Sequence, residues 1–202
     1  MAKERTTLRA EILAARDTLP AEERQRKSRA ITEHLLALPE FCAARSVFAY
    51  VSFRSEVETL DLIAHCLKRG MTVSVPLTLT KEQRLLPYAI TDLNRDLAPG
   101  YCGIREPLQT LPLVDPGTIE VVVTPGSVFD VHGGRLGYGG GYYDRFLQLA
   151  APQALRIGLA FDLQVVAAVP LKSHDQQLDY LITETRIIPF VRKTVCAEKQ
   201  RS

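Results

Sequence analysis

Six of the chain's twelve glycines fall between Gly133 and Gly141, in the run GGRLGYGGGYYDR. Residues without a Cβ let successive backbone N–H groups converge on one point, and phosphate oxygens suit such a cradle. Arg135 and Arg145 flank the run with positive charge. Asp144 follows the glycines, where a carboxylate can share a divalent cation with bound phosphates. The run is not a Walker A loop, because no GKS or GKT occurs, and Gly137, Gly139 and Tyr142 break the GxGxxG spacing. A turn that only packs a helix tightly onto a sheet fits the same residues.

The elements around the run favour a ligand. Residues 119–124 (IEVVVT) form the strongest strand pattern in the chain, stopped by Pro125 and Gly126, and residues 142–149 read as the helix after the loop. The carboxyl end of a strand is where open α/β sheets bind ligands, and the following helix aims its positive end at the same spot. Upstream, Leu8, Ile12, Ala15 and Leu19 recur at helical spacing, so residues 7–18 form an amphipathic helix. Pro20 opens a second helix with Ile31, Leu35 and Leu38 on its apolar side. Strands are expected at residues 47–52, at 71–75 ended by Pro76, and at 85–89, 156–160 and 179–183. A helix carrying Leu60, Ile63, Ala64 and Leu67 closes at Gly70. Residues 92–118 hold four prolines and three glycines and read as one long loop, a kind that is usually functional or disordered. The tail after Val191 reads as a solvated end. Strands alternating with helices predict an α/β class, a three-layer α/β/α arrangement with a mostly parallel sheet, in one domain spanning residues 1–202.

Composition narrows the partners. The 202 residues are 46% hydrophobic and 24% charged, and 25 Lys plus Arg against 23 Asp plus Glu leave a formal net charge of +2. No strong field draws in nucleic acid or an anionic membrane, so an anionic ligand must be met locally. Cys42, Cys66, Cys102 and Cys196 form no CxxC pair and no zinc spacing with histidine, and they read as reduced thiols. The N-terminal stretch MAKERTTLRAEILAARDTLP lacks the apolar segment of a secretory signal, and no run of about 18 apolar residues occurs, so a cytoplasmic, unanchored protein is expected.

The string PGSVFDVHGGRLGYGGGYYDRFL closely resembles the signature of the 5-formyltetrahydrofolate cyclo-ligases, also called methenyltetrahydrofolate synthetases. The resemblance covers nearly the whole chain, with an N-terminal TLR, then YVSFRSEVET, GIREP, the glycine run and HDQQLD in order. It implies a fold similar to the phosphosugar isomerase and coenzyme A transferase group, ATP as co-substrate, magnesium, and a monomer acting on a small-molecule folate. Arg135, Leu136, Gly137, Tyr138, Gly139, Gly140, Gly141, Tyr142 and Tyr143 would bind ATP. Tyr138, Gly139, Gly140, Gly141 and Tyr142 would also touch the folate, and Arg135 and Tyr142 would act at the reacting groups. Val51, Phe53 and Glu56 would contact the reduced pteridine, and Asp144 and Asp175 would bind magnesium. Arg9 matches a family arginine of the ATP site, but Arg5 stands where the family carries a lysine. A guanidinium is a planar fork and not a compact ammonium, so Lys3 is an alternative supplier.

In the implied reaction the formyl oxygen of 5-formyltetrahydrofolate attacks the terminal phosphoryl group of ATP, and the second folate nitrogen closes the ring as phosphate departs. An amide oxygen carries no proton to remove, so positioning and charge neutralisation carry the first step. The absence of a Ser/His/Asp or Cys/His constellation is therefore no argument against catalysis. Two other readings stay open from the residues. One is a non-catalytic folate- or nucleotide-binding relative with a storage or regulatory role, favoured only by Arg5. The other is a phosphosugar isomerase or coenzyme A transferase relative without magnesium aspartates. Asp175 could instead cap a turn, and Glu56 could serve a helix N-terminus.

Overall fold

The computed structural model describes residues 2–191, so Cys196 and the tail expected to be solvated lie outside the described residues. In chain order the helices are α1 (Ala2–Asp17), α2 (Ala21–Ala37), α3 (Pro39–Ala43), α4 (Leu60–Lys68) and α5 (Tyr142–Arg145). The strands are β1 (Ser46–Ala49), β2 (Thr72–Leu79), β3 (Arg84–Ile90), β4 (Leu97–Pro99), β5 (Arg105–Pro107) and β6 (Val121–Thr124). They continue with β7 (Val128–Asp130), β8 (Arg135–Leu136), β9 (Leu155–Leu159), β10 (Val165–Val166), β11 (Tyr180–Ile182) and β12 (Ile187–Pro189).

The main sheet has the order β12-β11-β9-β6-β1-β2-β3, with β11, β9, β6, β1 and β2 parallel and the two edge strands antiparallel. This is the mostly parallel α/β sheet that the alternation of elements predicts. Side chains divide between its faces with period two. Val47, Ala49, Val121, Val123, Ile157 and Leu159 pack on one side with Ile31 and Leu35 of α2 and Leu62 and Ile63 of α4. Phe48, Val122 and Leu85 pack on the other against Phe146 and Leu147. That second covering layer is only partly helical. It combines α5 and the turn after it with a small sheet, β10-β7-β8, whose Phe129 seats against Ala160 and Leu181. Leu8 and Ile12 of α1 pack on that small sheet, against Val128, Leu136 and Val169. Among the described residues no helix is long and apolar enough to cross a membrane.

Several elements differ from the sequence reading for identifiable reasons. β2 runs through Pro76 because Pro76 lies opposite Pro87 of β3, and neither needs to donate. β1 stops at Ala49, and the chain then leaves the sheet to build the site. The helix expected over residues 142–149 is one α-turn followed by a π-turn, Phe146–Ala150, closed by Ala151 N–H to Phe146 O at 2.9 Å. The stretch 92–118 is not a bare loop, since it contains the β4/β5 hairpin and a bridge between Tyr88 and Leu113. Cys42, Cys66 and Cys102 are free thiols.

Candidate active site

The chain runs from β1 through β2 to β3 on one side of the sheet, then returns with β6 on the other side of β1. The strand order reverses there, and a crevice opens beyond the carboxyl ends of the two strands. It is a cleft of about 630 Å³ lined by Tyr50 and Val51 after β1, Pro125 after β6, and, from the glycine loop, Gly137, Tyr138 and the residues from Gly140 to Asp144. That volume suits a drug-sized ligand.

At one end lies a hydrogen-bonded carboxylate. Backbone N–H of Phe53 donates to Glu56 Oε2 at 2.9 Å, and the Tyr138 hydroxyl donates to Oε1 at 2.6 Å. Arg16 of α1, buried to 3% exposure, donates to the Tyr138 hydroxyl at 3.0 Å and to Ser55 Oγ at 3.0 Å. Ser55 Oγ in turn donates to Asp17. Burial pushes the Glu56 carboxyl above its ordinary range, while Tyr138, the Phe53 N–H and Arg16 pull it back in part.

The other end is ionic. Arg135, with a side chain 2% exposed, donates to Asp144 Oδ1 at 2.8 Å, and the Gln176 N–H donates to the same oxygen at 3.1 Å. Arg5 grips both oxygens of Asp175, at 2.5 and 3.3 Å, and also donates to Pro170 O at 2.8 Å. Burial raises the Asp175 pKa, but Arg5 and the Lys172 N–H outweigh it and hold the carboxyl below its ordinary value. Arg9 Nε donates to Gly137 O at 2.8 Å. Arg145 ties the loop to the β2/β3 turn, donating to Gly140 O and to Gln83 O at 2.8 Å. Beyond the loop is a second hollow of about 360 Å³, lined by Gly139, Gly140, Gly141, Asp144, Arg145 and His174 among others.

Two enclosed donors on the cleft wall lack acceptors among the described residues. Among the described residues, the Tyr143 hydroxyl and Arg135 Nε have no hydrogen-bond partner, and both residues border the cleft. Burial, then the nearby Glu56, push the Tyr143 hydroxyl above its ordinary range, so it stays a donor. Buried donors without partners are rare, and a ligand oxygen satisfies them.

The structure brings Val51, Phe53, Glu56, Arg135, Gly137, Tyr138, Gly140, Gly141, Tyr142, Tyr143 and Asp144 around one cleft. Gly139 faces the second hollow. Leu136 is fully buried and its carbonyl accepts from Ser127, so it anchors the loop and does not line the cleft. Arg5 and Asp175 are spent on each other, and Lys3 is exposed. The helix after the glycines is a single α-turn, too short to concentrate the dipole that the sequence reading assigned to it.

Sequence reasoning passed over Arg16 and Glu106. Arg5, Arg9 and Arg16 lie four and then seven residues apart, which places them on one side of α1, and that spacing was the available signal. Glu106, in GIREP, accepts from the N–H groups of Thr78 at 2.9 Å and Tyr101 at 3.1 Å. It thereby pins the β4/β5 hairpin against β2 as a wall of the cleft.

Residues 1–184 match the 5-formyltetrahydrofolate cyclo-ligase family. The chain belongs to that family. It is 31% identical to the 5-formyltetrahydrofolate cyclo-ligase of Haemophilus influenzae, covering 87% of this chain and 95% of that one. It is 29% identical to the mouse enzyme of that name, covering 88% and 92%. The solved structure of Aquifex aeolicus 5,10-methenyltetrahydrofolate synthetase superposes with a TM-score of 0.82 at 30% identity, covering 98% of this chain and 99% of that one. The chain is thus a cyclo-ligase of folate one-carbon metabolism that converts 5-formyltetrahydrofolate to the 5,10-methenyl form, and membership of the family makes ATP the co-substrate. A storage or regulatory relative is not favoured by these likenesses.

Proposed function

We propose that the folate sits in the larger cleft with its pteridine against Glu56, and that the ATP phosphates lie over the glycine loop at the Arg135 and Asp144 end. The observation that carries this is the pair of unpartnered donors, Tyr143 Oη and Arg135 Nε, bordering one continuous cleft. A formyl or phosphoryl oxygen between them would accept both. The resemblance assigns Tyr142 to the reacting groups, and its ring borders the same wall. Glu56, fixed by Tyr138 and the Phe53 N–H, would accept from polar N–H groups of the pteridine. Arg135 would neutralise charge on the transferring phosphoryl group, the main demand of this reaction. Once phosphorylated, the formyl oxygen leaves as phosphate when the second folate nitrogen closes the ring and loses its proton.

Magnesium fits the donors present. Two carboxylates are the hard oxygen ligands that this ion takes alongside substrate phosphates, so a cluster of three or more protein ligands is not required. Asp144 would hold it, with Asp175 joining once Arg5 lets go. The ion, when bound, neutralises phosphate charge. The reading is of a monomer acting on small molecules, and ATP as co-substrate suits a cytoplasmic setting. Absorbance of the methenyl product, followed with and without ATP and magnesium, tests the reading. Product should form only with both, and formation that persists under a chelator would remove the metal from the proposal.

A further inference from the structure

Among the described residues three cations line the cleft, and two of them are occupied. Arg135 is paired with Asp144, and Arg16 with Ser55, Tyr138 and, at 3.4 Å, Gly126 O. The third, Arg54, is exposed. Among the described residues it donates no hydrogen bond and meets no carboxylate, and its guanidinium lies 5.1 Å from the centroid of the Phe53 ring. The backbone puts it there deliberately in one physical sense: Arg54 has φ 54°, a left-handed conformation that costs an arginine energy. The turn it creates, closed by Glu56 N–H to Phe53 O at 3.2 Å, sends Glu56 inward while Arg54 stays at the lip.

The acids of the lining fix which way a substrate with carboxylates enters. Glu56 and Glu106 are buried, 8% exposed each, Asp17 accepts from Ser55, and Asp144 is held by Arg135. The enclosed acids Glu56 and Glu106 disfavour a carboxylate on their part of the wall, whereas a neutral heterocycle with N–H donors suits it. A tetrahydrofolate has its ring at one end and the carboxylates of its glutamate at the other, with an aminobenzoyl ring between. Ring-first entry leaves the aminobenzoyl group along Phe53 and Tyr101 and brings the carboxylates to the lip. We propose that Arg54, held over the Phe53 ring, is the subsite for the glutamate carboxylates of the folate tail. This rests on the assignment of the larger cleft to the folate.

The test compares 5-formyltetrahydrofolate with 5-formyltetrahydropteroate, which lacks the glutamate. Arg54→Asn removes the charge with a residue that tolerates the left-handed backbone, and Arg54→Lys keeps the charge. The wild-type protein should favour the glutamylated substrate by KM. In Arg54→Asn that preference should shrink about 3- to 10-fold, in Arg54→Lys it should largely remain, and raised salt should erode it in the wild type, as for solvent-exposed ion pairs. A merely structural Arg54 would shift both substrates together and leave the preference intact, which overturns the proposal. Glu56→Gln is the companion variant and should raise KM for both substrates. If Glu56→Gln acts and Arg54→Asn leaves the preference unchanged, the tail subsite alone fails. If neither variant alters KM, the cleft assignment and the tail subsite fail together.

Discussion

The two ends of the cleft hold their carboxylates in different ways. Glu56 is met by neutral donors, a tyrosine hydroxyl and a backbone N–H, with Arg16 acting through the tyrosine. Asp144 on the cleft wall, and Asp175 outside the lining, are each met directly by a guanidinium, from Arg135 and Arg5. A neutral network is directional and keeps one shape, which suits a rigid heterocycle whose hydrogen-bonding edge must be matched. Ion pairs can trade partners at little net cost, provided that charge is replaced by charge. A phosphate could take the arginines while a cation takes the aspartates, so this end would be balanced both with and without the proposed ligands. On the assignment proposed above, the folate end is thus built for fit, and the nucleotide end for exchange.

The largest expected effect breaks the ionic end. Asp144→Asn should raise the magnesium requirement and lower turnover by about 100-fold. It should also cost stability, about 1–3 kcal/mol, because Arg135 is enclosed and loses its charged partner. Unchanged magnesium dependence in the folded mutant would show that the pair is structural. At the folate end, Glu56→Gln should raise the folate KM by about 10- to 30-fold while leaving the ATP KM within about 2-fold. Burial raises the Glu56 pKa, so its ionised fraction falls as pH drops through that raised value. The wild-type folate KM should therefore climb on the acid side, and Glu56→Gln should flatten the climb. A parallel rise in the mutant would assign the dependence to another group.

Gly140→Ala probes the join between the ends. A Cβ there would stand 2.5 Å from the Tyr142 ring, so the ring must move. Gly139, by contrast, has φ 106° and open space around its missing Cβ, so a substitution there strains the backbone without touching a neighbour. Turnover should fall about 10-fold in Gly140→Ala with both KM values altered, and kinetics that change for one substrate only would confine Tyr142 to that substrate's end.

The legibility of these parts in the sequence follows from how local their signals are. Apolar runs such as IEVVVT and the glycine run declare themselves within a few residues, and so the parallel sheet and the loop at its carboxyl edge could be read directly. The small sheet could not, since β8 and β10 are two residues long and exist only because β7 pairs with both. The hairpin inside residues 92–118 was hidden for a similar reason: its anchor, Glu106, bonds to Thr78, 28 residues away. Arg16 looked like one more charge on an amphipathic helix. Its burial depends on Tyr138, more than a hundred residues later. The pairing of Arg5 with Asp175 spans 170 positions, and nothing near either residue announces it.

The smallest effect concerns that pair, and it sharpens the idea of exchange. If Arg5 leaves Asp175 for a phosphate, its gain is the difference between two charged contacts, so Arg5→Ala should weaken apparent ATP affinity by only about 3- to 10-fold. Arg5→Lys should stay within about 3-fold, because one positive charge still reaches the same oxygens. Lys3→Ala should be nearly silent, since Lys3 is exposed, and the reverse ranking of the two alanine variants would make Lys3 the phosphate ligand. Acid titration gives an independent check. The folded Asp175 carboxyl lies below its ordinary 3.8, so it stabilises the fold above that value, and the contribution disappears as pH falls through the lower, folded one. Thermal unfolding should therefore separate wild type from Arg5→Ala at pH 6 and bring them together in strong acid. A gap that persists unchanged at low pH would mean that Arg5 stabilises through Pro170 O alone, and that no carboxylate is waiting for a cation there.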